Sequence, residues 1–369
     1  MRIGPLCFAL MLSSLFAPVT FAEAWDDAVK AYEATKSLAE QGDVVSQYNL
    51  GVMYAQGMGV AQDDQKAIAW YRRAAEQDFA PAQANLAIMY ENGQGVPQED
   101  EQAFTWYRRA AKQGHVNAQA RLGEMYRQGQ GVDQDFQEAA SWYRRAAEQG
   151  HAGAQTNLAV MYAKGEGVPQ NFQKAFVWYS KAAEQGYAQA QLILAGMYDQ
   201  GQGVPQDRQA SSTWIRRAAE QGHPDAQYHL GRRYAEGEGF AQDDQKAVAW
   251  YSKAAEQGNV DAQTNLGGMY ALGRGVAQDN QKAMTWFRQA AEQGDSFAQF
   301  NLGAMYVNGQ GVPKDVVMAY ALINLSAAQG NENAISAQPE LEKMLTDSEI
   351  EEGQKLSQGW KPGMPLPGQ

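Results

Sequence analysis

The chain has 369 residues, and its Lys and Arg total 30 against 42 Asp and Glu, a net charge of −12 at neutral pH. Such an excess repels phosphate backbones and anionic lipid, which argues against nucleic-acid binding. Glycine occurs 37 times against 12 prolines and one cysteine, and glycines and tryptophans recur at fixed spacing, so an expectation of two or three globular domains gives way to a repeat protein.

Met1-Arg2 opens a short basic segment, and an apolar stretch from Leu6 to Phe16 follows, too short to span a hydrocarbon core. With Ala22-Glu23-Ala24 supplying small residues at −3 and −1, residues 1–24 read as a signal peptide cleaved before Trp25, or alternatively after Ala22. Cys7 precedes most of the apolar segment, whereas a lipid-bearing cysteine should follow it. The mature chain then has no cysteine, no disulfide to form and no integral membrane segment, and its expected location is periplasmic or secreted. The alternative is a buried N-terminal helix in a cytosolic protein.

Gly42, Asp78, Gly114, Gly150, Gly186, Gly222, Gly258, Gly294 and Gly330 each end a segment like Ala-Ala-Glu-Gln-Gly, always 36 residues apart. A half-unit at 25–42, expected to form an N-terminal capping helix, therefore precedes eight whole units at 43–330. In the second unit Ala82, Leu86, Met89 and Tyr90 stand at i, i+4, i+7 and i+8, one face of a helix A. Gly93-Gln94-Gly95 closes it, and Pro97 resists its continuation. Glu99, like Asp63, Asp135, Asn171, Asp207, Asp243, Asp279 and Asp315 in the other units, starts a helix B at an N-cap position. Its stripe of Ala103, Trp106, Tyr107, Ala110 and Ala111 pairs bulky residues with small ones, and Gly114 ends it.

Such a helix pair cannot bury its apolar face without neighbours, so the units must stack. The ladder Trp70, Trp106, Trp142, Trp178, Trp214, Trp250 and Trp286 is expected to supply most of the large aromatic burial, while the alanines let helices approach to ~8–10 Å. After Gly330 the motif stops; residues 331–360 are expected to form a helical cap. There Thr346-Asp347-Ser348-Glu349 has capping-box spacing, and Ile350, Leu356 and Trp360 can seal the last repeat. Residues 361–369 are too rich in Pro and Gly to order by themselves.

The pattern A-Q-x-N-L-G-x-M-Y-x-x-G-x-G-V-x-Q-D-x-x-K-A-x-x-W-Y-x-x-A-A-E-Q-G resembles the Sel-one-like repeat, a relative of the tetratricopeptide repeat, over residues 25–330. The resemblance implies an all-α, right-handed αα superhelical solenoid whose A helices line a concave groove, used by bacterial members as an adaptor in export, envelope assembly or host contact. Cysteine-rich members described as β-lactamase-like carry a cysteine pair per repeat, and the mature chain has none, so that activity is not carried over. Unit six departs most: Arg233 stands for the methionine, Ile215 for the tyrosine and Ala210-Ser211 for Lys-Ala, which puts its packing in question.

Catalytic and cofactor chemistry finds little support. The Gly-x-Gly pairs lack a preceding strand, a third glycine at dinucleotide spacing or a following G-K-[ST]. His115, His151 and His223 share one loop position a repeat apart, on the order of 10 Å, beyond a common zinc ion at ~2.0–2.1 Å from each nitrogen. The methionine column from Met53 to Met305 lies on the apolar stripe, as core rather than copper ligand. Asp63-Asp64 and Asp243-Asp244 read as helix caps, and the Arg72-Arg73, Arg108-Arg109, Arg144-Arg145 and Arg216-Arg217 pairs as a solvated face. No cofactor, no metal and no enzyme activity is expected.

Units differ most on one face of helix A, in the positions equivalent to 45, 48, 52 and 55. The resemblance places this stripe in the groove, which makes a protein or peptide the expected partner. Candidate contacts are Tyr48, Asn49, Asn85, Arg121, Glu124, Asn157, Tyr228, His229, Arg232, Asn265, Phe300 and Asn301. Asparagine can both donate to and accept from a peptide backbone, or satisfy a neighbouring helix instead. Asn85 and Arg121 match two positions of the tetratricopeptide carboxylate clamp, but its lysine positions hold Tyr48 and Asn117. An aromatic with an arginine, as in Tyr228, His229 and Arg232, is a typical interface anchor, whereas Thr264, Asn265 and Gly268 of unit seven read as bland. The alternatives are an envelope hydrolase or β-lactam-binding enzyme, and a subunit that binds cell-wall glycan or exopolysaccharide machinery through Tyr48, Tyr228 and Phe300.

Overall fold

The computed structural model describes residues 21–366; residues 1–20 of the expected signal peptide at 1–24, and 367–369 of the tail at 361–369, lie outside them. The described residues form nineteen α-helices and no strand. The chain divides into two compact units, residues 1–169 and 170–369.

Unit one comprises α1 (Phe21–Glu40), α2 (Val44–Gln56), α3 (Asp64–Glu76), α4 (Ala80–Asn92), α5 (Asp100–Lys112), α6 (Val116–Gln128), α7 (Phe136–Glu148) and α8 (Ala152–Lys164), and each of the first seven packs on the next in sequence. α1 begins four residues ahead of the expected cleavage at Trp25. Even-numbered helices are A helices, and odd-numbered ones from α3 are B helices. Unit two comprises α9 (Phe172–Glu184), α10 (Ala188–Gln200), α11 (Arg208–Glu220), α12 (Pro224–Glu236), α13 (Asp244–Glu256), α14 (Val260–Leu272), α15 (Asn280–Glu292), α16 (Ser296–Asn308) and α17 (Val316–Ala328), paired in the same way. Both α18 (Glu332–Glu342) and α19 (Asp347–Ser357) pack on α17.

Local chemistry sets the 13-residue length of the repeat helices. Asp63, Asp243 and Asp279 accept from the backbone amide three residues on, satisfying an orphan donor at each B-helix start. Glu99 makes no such bond. In the loop between helices, Gly95 takes φ +71°, and a Cβ there would lie 2.5 Å from the Asp64 carbonyl oxygen at the start of the preceding B helix. The loop thus lies directly on its neighbouring repeat, and only glycine fits. Thr346 and Glu349 form a reciprocal capping box on α19.

The core revises the expected tryptophan ladder. Tyr71, Tyr107, Tyr143, Tyr179, Tyr251 and Phe287 are buried, whereas of the ladder tryptophans only Trp142 is. The tyrosine points at a Gly or Ala of its partner A helix; a Cβ on Gly123 would come within 2.8 Å of the Tyr143 ring. Each tryptophan sits one position away, half-exposed except at Trp142, and in every repeat but that of Trp286 the cation three residues later covers its ring. Arg73 lies 4.4 Å from the Trp70 ring centre, Arg109 4.6 Å from Trp106, and Lys253 4.0 Å from Trp250. The arginine pairs are therefore not simply a solvated face: the second stacks on tryptophan, and Arg72 and Arg144 donate to the hydroxyls of Tyr90 and Tyr162 in the following A helix.

A second ladder had no counterpart in the sequence reading. Gln47, Gln83, Gln119, Gln191, Gln227, Gln263 and Gln299 are buried on the A helices. Gln83, for example, donates to the Ala75 carbonyl of the preceding B helix at 3.1 Å and accepts from Gln113 of its own repeat's B helix at 2.8 Å.

The tail also departs from expectation. Residues 361–366 dock on α15: the Gly363 amide donates to the Glu292 carbonyl at 2.7 Å, Trp360 Nε1 donates to the Met364 and Pro365 carbonyls, and Leu366 is buried among Met284, Phe287 and Met305. A turn in which the Met364 amide donates to the Lys361 carbonyl at 3.1 Å brings the Leu366 anchor to its site, a contact that composition alone does not reveal.

Candidate functional site

The variable stripe of the A helices is the outward face left once Ala, Gln, Leu and the Gly/Ala position have turned toward the B helices. In unit one, Tyr48 is half-buried between the rings of Tyr71 (5.8 Å) and Phe79 (5.4 Å), and Asn49 is exposed. Asn85 and Asn157 are half-buried. Arg121 forms an ion pair with Glu91 of the preceding A helix and donates to Gln130 Oε1 at 3.2 Å. Glu124 accepts from Arg127, Gln128 and the Tyr143 hydroxyl. Burial raises the Glu124 carboxyl, but its bonds from Arg127 and Tyr143 outweigh that, and the net shift is downward. Arg121 and Glu124, read from sequence as distinctive contact points, are thus already engaged within the array. They border a depression of about 320 Å³ with Asn157 and His151.

Two of the three loop histidines have a role that zinc spacing did not suggest, while His223 makes no cap bond. His115 Nδ1 accepts from the Ala118 amide at 3.2 Å, and His151 Nδ1 from Ala154 at 3.0 Å, so each caps an A helix where Asp43, Asn259 and Asp295 do so elsewhere. Among the described residues no three potential metal ligands cluster, and no helix is long and apolar enough to cross a membrane.

In unit two, the Tyr228 ring lies 5.2 Å from His229 and 5.9 Å from Tyr251. Burial, followed by the Arg232 charge, pushes the His229 imidazole pKa down. Arg232 stays half-exposed, its nearest carboxylate being Glu236 at 3.9 Å. Arg233 does the opposite of an arginine held in water. It is 2% exposed and pairs with Asp199 and with Glu238 at 3.0 Å, also donating to Ser211 Oγ at 3.2 Å. The departures of unit six therefore compensate one another: Ser211, where other units have alanine, and Asp199 of the preceding A helix receive the guanidinium that replaces methionine. Asn265 turns back to its own helix, donating to the Asp261 carbonyl at 2.8 Å, and Phe300 packs against the cluster around Tyr320 and Ile323.

Two depressions flank Tyr228. One, about 360 Å³, is bordered by Leu192, Gly196, His229 and Arg232; the other, about 470 Å³, by Tyr251, Asp261, Gly268, Leu272, Phe297 and Asn301. Thr264, Asn265 and Gly268 of the second are bland in sequence. Its signal was present: Gly268 falls in the column that holds Val52, Ile88, Val160 and Arg232, and a glycine there removes a side chain from the face.

The Sel1 repeat family matches eight consecutive stretches, 44–79, 80–115, 116–151, 152–187, 188–223, 224–259, 260–295 and 296–331. A Sel1 repeat protein from Oxalobacter formigenes is 35% identical with a TM-score of 0.65, over 86% of this chain and 93% of that one. A protective antigen of uropathogenic Escherichia coli displaying an SLR fold is 33% identical with a TM-score of 0.52, over 90% of this chain and 87% of that one. No match is found among curated proteins. Eight tandem helix pairs, their glycine-closed loops and these likenesses place the chain in the Sel1 repeat family.

Proposed function

We propose that the chain is an exported, non-catalytic scaffold that holds a protein or peptide partner on the variable face of its A helices. One observation carries this reading. The A-helix positions that face the B helices repeat almost unchanged, whereas the outward positions differ among units and border open depressions. Constant packing beneath a varied, accessible face is what recognition of an irregular partner requires. The basic start, the Leu6–Phe16 apolar stretch and the small residues before Trp25 support export to the periplasm or beyond. No nucleophile, base and orienting group recur together in the motif, which disfavours the hydrolase reading. The glycan reading loses support because Tyr48 is held between Tyr71 and Phe79 and Phe300 packs against the cluster around Tyr320, so of its three rings only Tyr228 borders open depressions.

The test is retention from bacterial envelope extract on the immobilised chain and on its Tyr228→Ala, Arg232→Ala variant. A protein held by the first and lost from the second supports the reading; nitrocefin hydrolysis that survives repurification overturns it in favour of an enzyme. Native mass spectra should start at Trp25 or Glu23, and an intact Met1 terminus in soluble cytosol would remove the export claim.

A further inference from the structure

Glycine is among the poorest helix formers, so a glycine inside a helix calls for a local reason. On the A helices of unit two, Gly231 and Gly267 have one: a Cβ would come within 2.7 Å of the Tyr251 ring and 2.8 Å of the Phe287 ring. Gly196 and Gly268 do not, for a Cβ on either would meet nothing within 4 Å. What Gly268 does is leave the 470 Å³ depression open between α12, α14 and α16.

The lining of that depression is chemically uneven. Leu272 is 75% exposed and Phe297 59% exposed, two of the most exposed large apolar side chains of the described chain, and Tyr228, Tyr251 and Met269 continue the apolar wall. Of its charged groups, Arg274 is held bidentately by Asp244 at 3.1 and 2.6 Å. Asp295 is committed to the Ala298 amide and the Thr264 hydroxyl. The Asp261 carboxylate, exposed at the rim of both depressions beside Tyr228, has no ion-pair partner among the described residues. Nearby, Arg233 is offset by Asp199 and Glu238, Arg232 faces Glu236, and Asp225 adds a further negative charge. The local balance is negative, as is the chain at −12.

We propose that this depression takes a bulky apolar side chain and an adjacent basic one from a peptide segment, the apolar group entering over Gly268 between Leu272 and Phe297 and the cation pairing with Asp261 beside the Tyr228 ring. The proposal rests on the A-face reading above and specifies the partner's chemistry at one place on it. An exposed carboxylate beside an aromatic face attracts a cation by both charge and ring quadrupole, while the neighbouring apolar wall supplies area that charge alone does not.

The test uses the full chain with methyl labels on Met and Leu and three acetylated, amidated probe peptides: Gly-Ser-Phe-Lys-Ser-Gly, Gly-Ser-Phe-Glu-Ser-Gly and Gly-Ser-Ser-Lys-Ser-Gly. The Phe-Lys peptide should shift the Met269 and Leu272 methyl signals and bind at least tenfold tighter than either other peptide. Asp261→Asn should collapse the preference for Phe-Lys over Phe-Glu to about equal affinity. Gly268→Val should weaken Phe-Lys binding at least tenfold without unfolding the chain, since valine stands at the equivalent position 160. Equal or tighter binding of the Phe-Glu peptide, with shifts at Leu192 near Arg232, overturns this proposal and leaves the A-face reading standing. Absence of any shift on the A helices with all three peptides overturns both.

Discussion

Gln149 Nε2 donates to Gln119 Oε1 at 2.7 Å across thirty residues of chain, while Gln119 itself donates to the Ala111 carbonyl at 3.1 Å. One buried side chain thus fastens three successive helices, α5, α6 and α7. Replacing Gln119 by leucine preserves volume but leaves the Ala111 carbonyl and the Gln149 amide without that partner. The expected cost is about 1–3 kcal/mol, read as a lower urea midpoint, and a change below measurement error would show the ladder to be incidental.

Tryptophan and tyrosine columns should respond differently. Trp142→Ala, at the one buried ladder tryptophan, should cost about 3–5 kcal/mol through lost burial and a cavity. Trp250→Ala should cost clearly less, because its ring is half-exposed and its contribution includes the solvent-facing Lys253 contact. Equal losses in thermal unfolding would contradict the assigned orientation of the B helices.

Two glycines seven positions apart along the chain should behave oppositely. Gly275→Ala puts a Cβ 2.2 Å from the Asp244 carbonyl oxygen at φ +67° and should destabilise strongly. Gly268→Ala meets nothing within 4 Å and should stabilise by about 0.5–1 kcal/mol through helix propensity. Chemical denaturation of the two variants beside the parent measures both signs.

The period, the helix pairs and the B-helix caps were legible because each leaves a local mark: a repeated glycine, a carboxylate at a helix start, an apolar stripe. What escaped depends on direction. Trp70 and Tyr71 are adjacent and both aromatic, and only packing against Gly51 decides that the tyrosine faces inward. Gln119 reads as polar surface until the carbonyl of Ala111 is placed beside it. Arg233 looked misplaced because its partners Asp199 and Glu238 lie on different elements. On the outward face of the A helices, sequence drew attention to the charged residues Arg121 and Glu124, which turn out to be engaged, and away from Gly268, whose contribution is an absent side chain.

Stability should fall on mild acidification. His115 can cap only while Nδ1 is unprotonated, and burial pushes its pKa below the ordinary value. The unfolded chain therefore binds the proton more readily, so this contribution is complete above the unfolded pKa of about 6.5 and is lost as pH falls through the lower folded value. His115→Asn keeps an acceptor that does not titrate and should flatten the part of the pH profile below about 6.5. An unchanged profile would mean that the cap contributes nothing measurable.

The most direct test of the scaffold account is calorimetric titration of the partner retained from envelope extract against three forms of the chain: parent, Tyr228→Ala with Arg232→Ala on the A face, and Arg217→Ala on the exposed side of α11. With melting checked for each, the A-face variant should lose about 2 kcal/mol or more, roughly thirtyfold in affinity, while Arg217→Ala binds as the parent does. Full affinity in the A-face variant together with loss in Arg217→Ala would contradict the account and move recognition to the B helices.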